Sequence, residues 1–222
     1  MNFDVSLLFG ILPELARGLL TTLFVTTIAF TLASLAGLAL ALCSRSKVGM
    51  LQRTTLMIGS VARSIPELVA IFWTYYCLPN VVGLQLSGEV CGALALGAIG
   101  AGYMSEIVRG GIMAVPTGDW EAATALALPR WRIWMRIVLP QALSRMRPAI
   151  LNYFTDVMKN STLLAGIGVA DVAYAAYLSG AQDFRYLEPL TGVAILFFLV
   201  VFPLSQLSRR LSAAEAIVTR SL

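Results

Sequence analysis

From Leu19 to Cys43 the sequence runs for about 25 residues without a charged side chain. An α-helix rises ~1.5 Å per residue, so this run is long enough to cross a hydrocarbon core of ~30 Å. Hydrocarbon offers the backbone no partners, and a helix satisfies its own amides and carbonyls within one segment. Composition extends that reading to the whole chain, because 58% of its 222 residues are hydrophobic and only 13% are charged. A soluble domain would struggle to keep so much apolar surface from water.

Four more spans are predicted. The second covers about 55–78 and is interrupted by Arg63, Pro66 and Glu67. The third covers about 90–108 and is rich in glycine (Gly92, Gly97, Gly100, Gly102); the fourth and fifth run over 148–169 and 189–207. The expected fold class is an all-α integral membrane protein with five transmembrane helices. Residues 1–18 are short and mixed (Asp4, Glu14, Arg17) and lack the basic start and small-residue cleavage site of a signal peptide. They are read as a periplasmic segment, residues 19–208 as the transmembrane domain, and 209–222 as a cytoplasmic tail.

Loop charge gives the direction. Segments 44–53, 109–147 and 208–222 hold three, six and three Lys/Arg, whereas 1–18, 79–89 and 170–188 hold only Arg17 and Arg185. The positive-inside rule then puts the N-terminus outside and the C-terminus inside. The net charge of +4 belongs to topology, and no nucleic-acid partner is expected.

Little here carries chemistry. There is no histidine, and Cys43, Cys77 and Cys91 form no CxxC pair and fall in apolar runs. They read as packing residues, with no metal site implied. The glycines of GAIGAG (97–102) precede no Lys-Ser/Thr and lie inside a span, so they suit close helix packing and not a phosphate cradle. The chain is expected to be no enzyme and to hold no cofactor.

Residues 118–140, GDWEAATALALPRWRIWMRIVLP, are the one long stretch that reads as a surface helix pair. Asp119 is the expected N-cap, with Glu121-Ala122-Ala123 as a strong first turn and Pro129 opening a second helix. In that second helix Trp131, Trp134 and Val138 fall on one face, while Arg130, Arg132 and Arg136 stay polar. Leu139-Pro140 is expected to turn the chain toward the next span. One reading is an amphipathic helix lying on the membrane, Trp inward and Arg toward lipid phosphates.

The spacing supports another reading. Glu121-Ala122-Ala123, Ile137 sixteen residues after Glu121, and Leu139-Pro140 together resemble the EAA loop of permease subunits of ATP-binding cassette importers. Ala127 stands where the family has Gly. The resemblance implies that Glu121, Ala122, Ala123, Ala127, Ile137, Leu139 and Pro140, within a coupling loop of about 116–140, meet the ATPase. A bulky charge at Ala123 would then uncouple hydrolysis from transport.

Other stretches extend the resemblance over about 22–208. RSIPELVAIFWTYYCLP, from Arg63, is similar to the Arg-Gly-Thr-Pro region of polar-amino-acid permeases, with Ser64 and Ile65 replacing Gly and Thr. MKNSTLL, from Met158, resembles the family's Lys-Asp-Thr-Ser-Leu, with Asn160 for Asp. Glu106 and Arg109 match its Glu-Ile-Val-Arg-Gly-Gly run, as an ion pair or a gate.

Two readings stand for each buried charge. Arg63 snorkels to the headgroups, or it marks a helix broken at Pro66 beside the transport path. Asp156 and Lys159 share a helical face, as a self-neutralising pair or as a cavity lining.

The family implies a type I importer fold in a bacterial inner membrane, with cytoplasmic coupling helices. Two permease subunits, identical or different, would form the path, and a substrate-binding protein would dock on 79–89 and 170–188. Separate ATPase subunits would use ATP and Mg to import amino acids or similar small zwitterions. Ser64, Glu67 and Asn160 are expected to line a cavity between the two permease subunits, with Arg63 and Lys159 structural. The rival is a gradient-driven carrier or channel, in which Asp156 and Lys159 would be coupling residues. That rival leaves the Glu-Ala-Ala to Leu-Pro spacing unexplained, and a membrane-embedded enzyme lacks candidate residues.

Overall fold

The computed structural model describes residues 3–220, and every regular element among them is helical. The extreme ends of the predicted N-terminal segment and tail, 1–2 and 221–222, lie outside the described residues. Helix α1 (Val5–Cys43) starts well before Leu19, so most of the segment assigned to 1–18 is helix continuous with the first span. Asp4 starts it, accepting from the Ser6 and Leu7 amides at 2.9 and 3.3 Å. The Ser6 hydroxyl and then those amides hold the Asp4 carboxyl below the usual carboxylate range.

The second span is broken where the sequence interrupts it. Helix α2 (Gly49–Ser64) and helix α3 (Glu67–Tyr76) meet at 96°. Pro66 disfavours helical geometry at the residue before it, and Ile65 is extended at φ −87°, ψ 126°. The predicted loop after it contains a short helix α4 (Leu78–Val82), closed by Gly83 at φ 72°.

Helix α5 (Gly88–Met113) is the centre of the bundle, packed by α1, α2 and α3 and by the later helix α8. Small residues make that possible. Thr22, Thr26, Ala29, Ala33, Gly37 and Ala41 are all buried along α1. A Cβ on Gly97 would stand 2.9 Å from the Leu32 Cβ, and one on Gly37 2.9 Å from the Ala101 carbonyl oxygen. The two helices lie nearly backbone to backbone, as small-residue membrane interfaces do.

Beyond α5 come α6 (Thr117–Ala125), α7 (Arg130–Arg132) and, after a π-helical turn at Ile133–Val138, α8 (Leu139–Asn160). Leu139-Pro140 does not turn the chain. Pro140 has no N–H for the ordinary ladder, and the Leu139 amide reaches back to Trp134, so the helix widens and continues. The fourth span therefore begins earlier than predicted and tightens into a 3-10 segment, Ser161–Ile167. The loop assigned to 170–188 is mostly helix α9 (Val172–Asp183), inclined 45° to the preceding span.

Helix α10 (Leu187–Arg220) packs on α8, α9 and α1 but buries only 6% of its most apolar window. Its start is fixed at the end where α1 begins. Buried Glu188 accepts from the Asp4 amide at 3.1 Å and pairs with Arg185, which lies 3.7 Å from the Asp4 carboxylate.

Candidate functional site

A cavity of about 310 Å³ opens between α3, α5 and α8. Glu67 reaches it as the first residue of α3, so the proline break delivers the carboxylate. On α8, Tyr153, Asp156, Lys159 and Asn160 line the opposite wall. Tyr153 lies three residues before Asp156, and Lys159 and Asn160 lie three and four after it, so all four share one helical face. Asp156 and Lys159 pair at 2.8 Å with both side chains about half exposed, and this pair forms part of the cavity surface. Among the described residues no hydrogen bond or ion pair engages Glu67.

Two tyrosines complete the lining. Tyr103 of α5 and Tyr153 of α8 stack with ring centroids 5.7 Å apart. Sequence reasoning missed both. The available signal was the register of Tyr153 with Asp156 and Asn160 on a single stripe.

The structure brings Glu67 and Asn160 together, and it does not bring Ser64 to them. Ser64 is the last residue of α2, on the far side of the bend, and its exposed hydroxyl donates to the Ser60 carbonyl at 3.0 Å. Arg63 faces protein. It donates to the Gly102 carbonyl at 2.9 Å and sits 3.5 Å from Glu106, which also pairs with Arg109. One carboxylate thus ties two cations between α2 and α5, the arrangement expected of charges held away from lipid.

The stretch expected to form the coupling loop is built differently from its sequence pattern. Helix α6 begins at Thr117 with Pro116 at its N-cap. Asp119 lies in the first turn and accepts from Gln141 Nε2 at 2.7 Å, which ties α6 to α8. Pro129 precedes its helix as N-cap and is not its first residue. Trp134 packs edge-on against Trp120 and Val138 is fully buried, but Trp131 is exposed. The π turn adds a residue to the register between them, which takes Trp131 off the shared face.

Glu121, Ala122 and Ala127 are exposed, Ile137 is half-buried, and Leu139 and Pro140 lie at the surface. Ala123 is 2% exposed, in a core with Ala41, Val115, Ile133 and Val138. A bulky charge there would unseat α6 from its own chain, so it cannot separate coupling from folding.

Ala127 carries its own strain. Its φ is 52°, in the left-handed region where a Cβ costs ~1–2 kcal/mol, which is the reason glycine suits this corner. Replacing it with glycine relieves that strain but adds ~0.4–1 kcal/mol of unfolded-state entropy. Ala127→Gly is therefore expected to raise stability by ~0.5 kcal/mol, read as a small upward shift in melting temperature of the assembled transporter. A fall in melting temperature would show that the corner is not strained.

Residues 29–214 match the family described as binding-protein-dependent transport system inner membrane component. Over 208 residues the chain is 34% identical to a probable amino-acid ABC transporter permease protein of Sinorhizobium fredii, covering 94% of this chain and 90% of that one. It is 32% identical over 205 residues to the arginine transport system permease protein ArtQ of Bacillus subtilis, with 92% and 94% covered. The crystal structure of an amino acid ABC transporter with histidines matches over the whole of both chains, with a TM-score of 0.86 and 28% identity. An inward-facing structure of the MetNI methionine transporter shares the fold at a TM-score of 0.74 and 22% identity, over 91% and 98% of the two chains. The described helices thus follow a fold shared with these solved transporters, and the chain belongs to the family of binding-protein-dependent transport system inner membrane components.

Proposed function

We propose that this chain lines one half of a translocation path for amino acids or similar small zwitterions, with the Glu67–Asn160 cavity as a station on that path. The chain is an inner-membrane permease subunit of an ATP-driven importer and not an enzyme; ATPase subunits and a substrate-binding protein are its partners. Family membership decides against the gradient-driven carrier.

The observation that carries the proposal is the sorting of charge in the cavity. Glu67 has no described partner, while Asp156 and Lys159 neutralise each other at 2.8 Å beside Asn160. A substrate ammonium fits Glu67, and its carboxylate fits the Lys159 ammonium and the Asn160 amide. One free acid beside a neutral pair favours zwitterions and cations over anions. The permeases to which relatives give amino-acid names support this substrate class.

The remaining parts follow the same reading. A second permease subunit, identical or different, closes the other half of the path, supported by the half-exposed Asp156–Lys159 pair on the cavity wall, a charged surface that lipid does not cover. Residues 1–18 lie on the periplasmic side and 209–222 on the cytoplasmic side, supported by the loop-charge asymmetry. ATP and Mg stay with the ATPase, which docks on the exposed residues around Glu121, Ala122 and Ala127. The separate element α6, held by Asp119–Gln141 and by buried Ala123, moves as a rigid lever when the ATPase closes.

Ala122 is the position for the test, because it is exposed on the same turn as Ala123. Ala122→Arg is expected to leave the amount of inserted permease unchanged and to lower ATP-dependent uptake in proteoliposomes by tenfold or more. The partner ATPase should keep its basal hydrolysis. Uptake at the wild-type rate would remove α6 from the coupling surface and with it this account of energy transfer.

A further inference from the structure

A second recess lies beside the Arg63–Glu106–Arg109 charge network and shares no residue with the Glu67 cavity. Ser44 and Arg45, just past α1, Gln52 and Leu56 of α2, and Arg109 and Met113 of α5 enclose a groove of about 300 Å³. A smaller hollow bounded by Thr55, Gly59 and Glu106 adjoins it, sharing Ser44, Leu56 and Arg109.

Three features of the groove point to one ligand chemistry. First, its charge is unbalanced. Glu106 is shared between Arg63 and Arg109, and Arg45 has no acid beside it in residues 44–53, which carry Lys47 and Arg53 as well. Second, the guanidiniums are held in place. Arg45 lies 5.3 Å above the Trp134 ring, and Arg109 is fixed by Glu106 through Nε and Nη2. Third, Arg109 Nη1 is directed at the Met113 sulfur at 3.6 Å, a weak acceptor that leaves donor capacity unspent. Gln52 adds an amide, and Leu56 and Met113 supply an apolar floor.

We propose that this groove is a binding site for a phosphate-bearing anion, at this depth the headgroup of an anionic phospholipid. Arg45 and Arg109 grip the phosphate oxygens, Gln52 donates to it, and the acyl chains leave along Leu56 and Met113. Planar guanidiniums suit phosphate, and basic pockets between transmembrane helices bind anionic headgroups. The site goes beyond the transport reading and needs neither substrate nor membrane orientation. Arg45 rests on Trp134, and Trp134 on Trp120 of α6, so the groove adjoins the stretch read as the coupling loop.

The test uses the permease assembled with its ATPase, reconstituted in nanodiscs of phosphatidylcholine with stepwise addition of phosphatidylglycerol. Retained phospholipid is counted by native mass spectrometry and melting temperature is followed in parallel. Phosphatidylglycerol is expected to be retained and to raise the melting temperature. Arg45→Gln should weaken retention about tenfold, and Arg45→Lys should restore part of it. Arg210→Gln, in the basic tail and outside the groove, should leave retention unchanged.

A parallel arm with inorganic phosphate in phosphatidylcholine discs separates the sources. Protection by millimolar phosphate alone keeps the site and assigns it a soluble anion. Equal losses for Arg45→Gln and Arg210→Gln would reduce the effect to general surface charge and overturn the proposal, as would retention unaffected by any of them. A poorly folding Arg45→Gln is recognised by its melting temperature in phosphatidylcholine alone, and Arg45→Lys then carries the comparison.

Discussion

Gly102→Leu is expected to abolish folded permease in the membrane. A Cβ at position 102 would stand 2.7 Å from the Gly59 carbonyl oxygen and 3.1 Å from both the Ala62 Cβ and the Arg63 Cγ. The first of these is backbone and cannot rotate away. Relief requires α2 to move off α5, which would lengthen the bond from Arg63 to the Gly102 carbonyl, 2.9 Å, and the Arg63–Glu106 pair. Overpacking alone costs ~1–3 kcal/mol, and the loosened charges add to it. Gly102→Ala should show the smaller, overpacking-only loss.

The comparison lies on the same helix. A Cβ at Gly110 would meet nothing within 4 Å, so Gly110→Ala is expected to gain ~0.5–1 kcal/mol from helix propensity. Membrane-fraction yield and melting temperature of the assembled transporter read both variants. Normal yield of Gly102→Leu would mean that α2 and α5 are not in backbone contact.

That contact was legible in the sequence as a kind of residue and not as a pairing. Glycines inside the third span imply close packing, but nothing in the chain says that Gly97 meets Leu32, Gly100 meets Ala33 and Gly102 meets Gly59. The broken second span was legible as well, because Pro66 acts on its immediate neighbour. Long apolar runs announced the spans because hydropathy is a property of consecutive residues.

What the sequence hid depends on ladders and on distance. The continuity through Leu139-Pro140 comes from a single widened turn, where the ordinary rule reads proline as a stop. The start of α1 at Val5 needs Asp4 as a cap and Glu188, at the other end of the chain, as its partner. Helix α9 is short and of mixed hydropathy, and its first amide, that of Val172, donates to Thr22 of α1 at 3.3 Å. The burial of Ala123 belongs to the same class. An Ala on a polar-looking helix gives no sign of which face a neighbouring core will cover.

Glu67→Gln is expected to lower uptake by about ten- to a hundredfold, the worth of one charge-assisted hydrogen bond at ~1.5–3 kcal/mol. The substitution keeps the shape and removes the charge. The amount of assembled transporter should not change, since no described bond within the chain holds this carboxylate. Its favourable place at the start of α3 is worth only ~0.3–1 kcal/mol. Loss of the free acid also alters selectivity. Wild-type uptake should be competed by zwitterionic and cationic amino acids and little by anionic ones. In Glu67→Gln the cavity keeps only the neutral Asp156–Lys159 pair and Asn160, and the preference against anions should narrow. Asn160→Ala, on the facing wall, should reduce uptake with no such change in charge preference. Wild-type rates and competition profile in Glu67→Gln would remove this cavity from the substrate path while leaving the chain in its family.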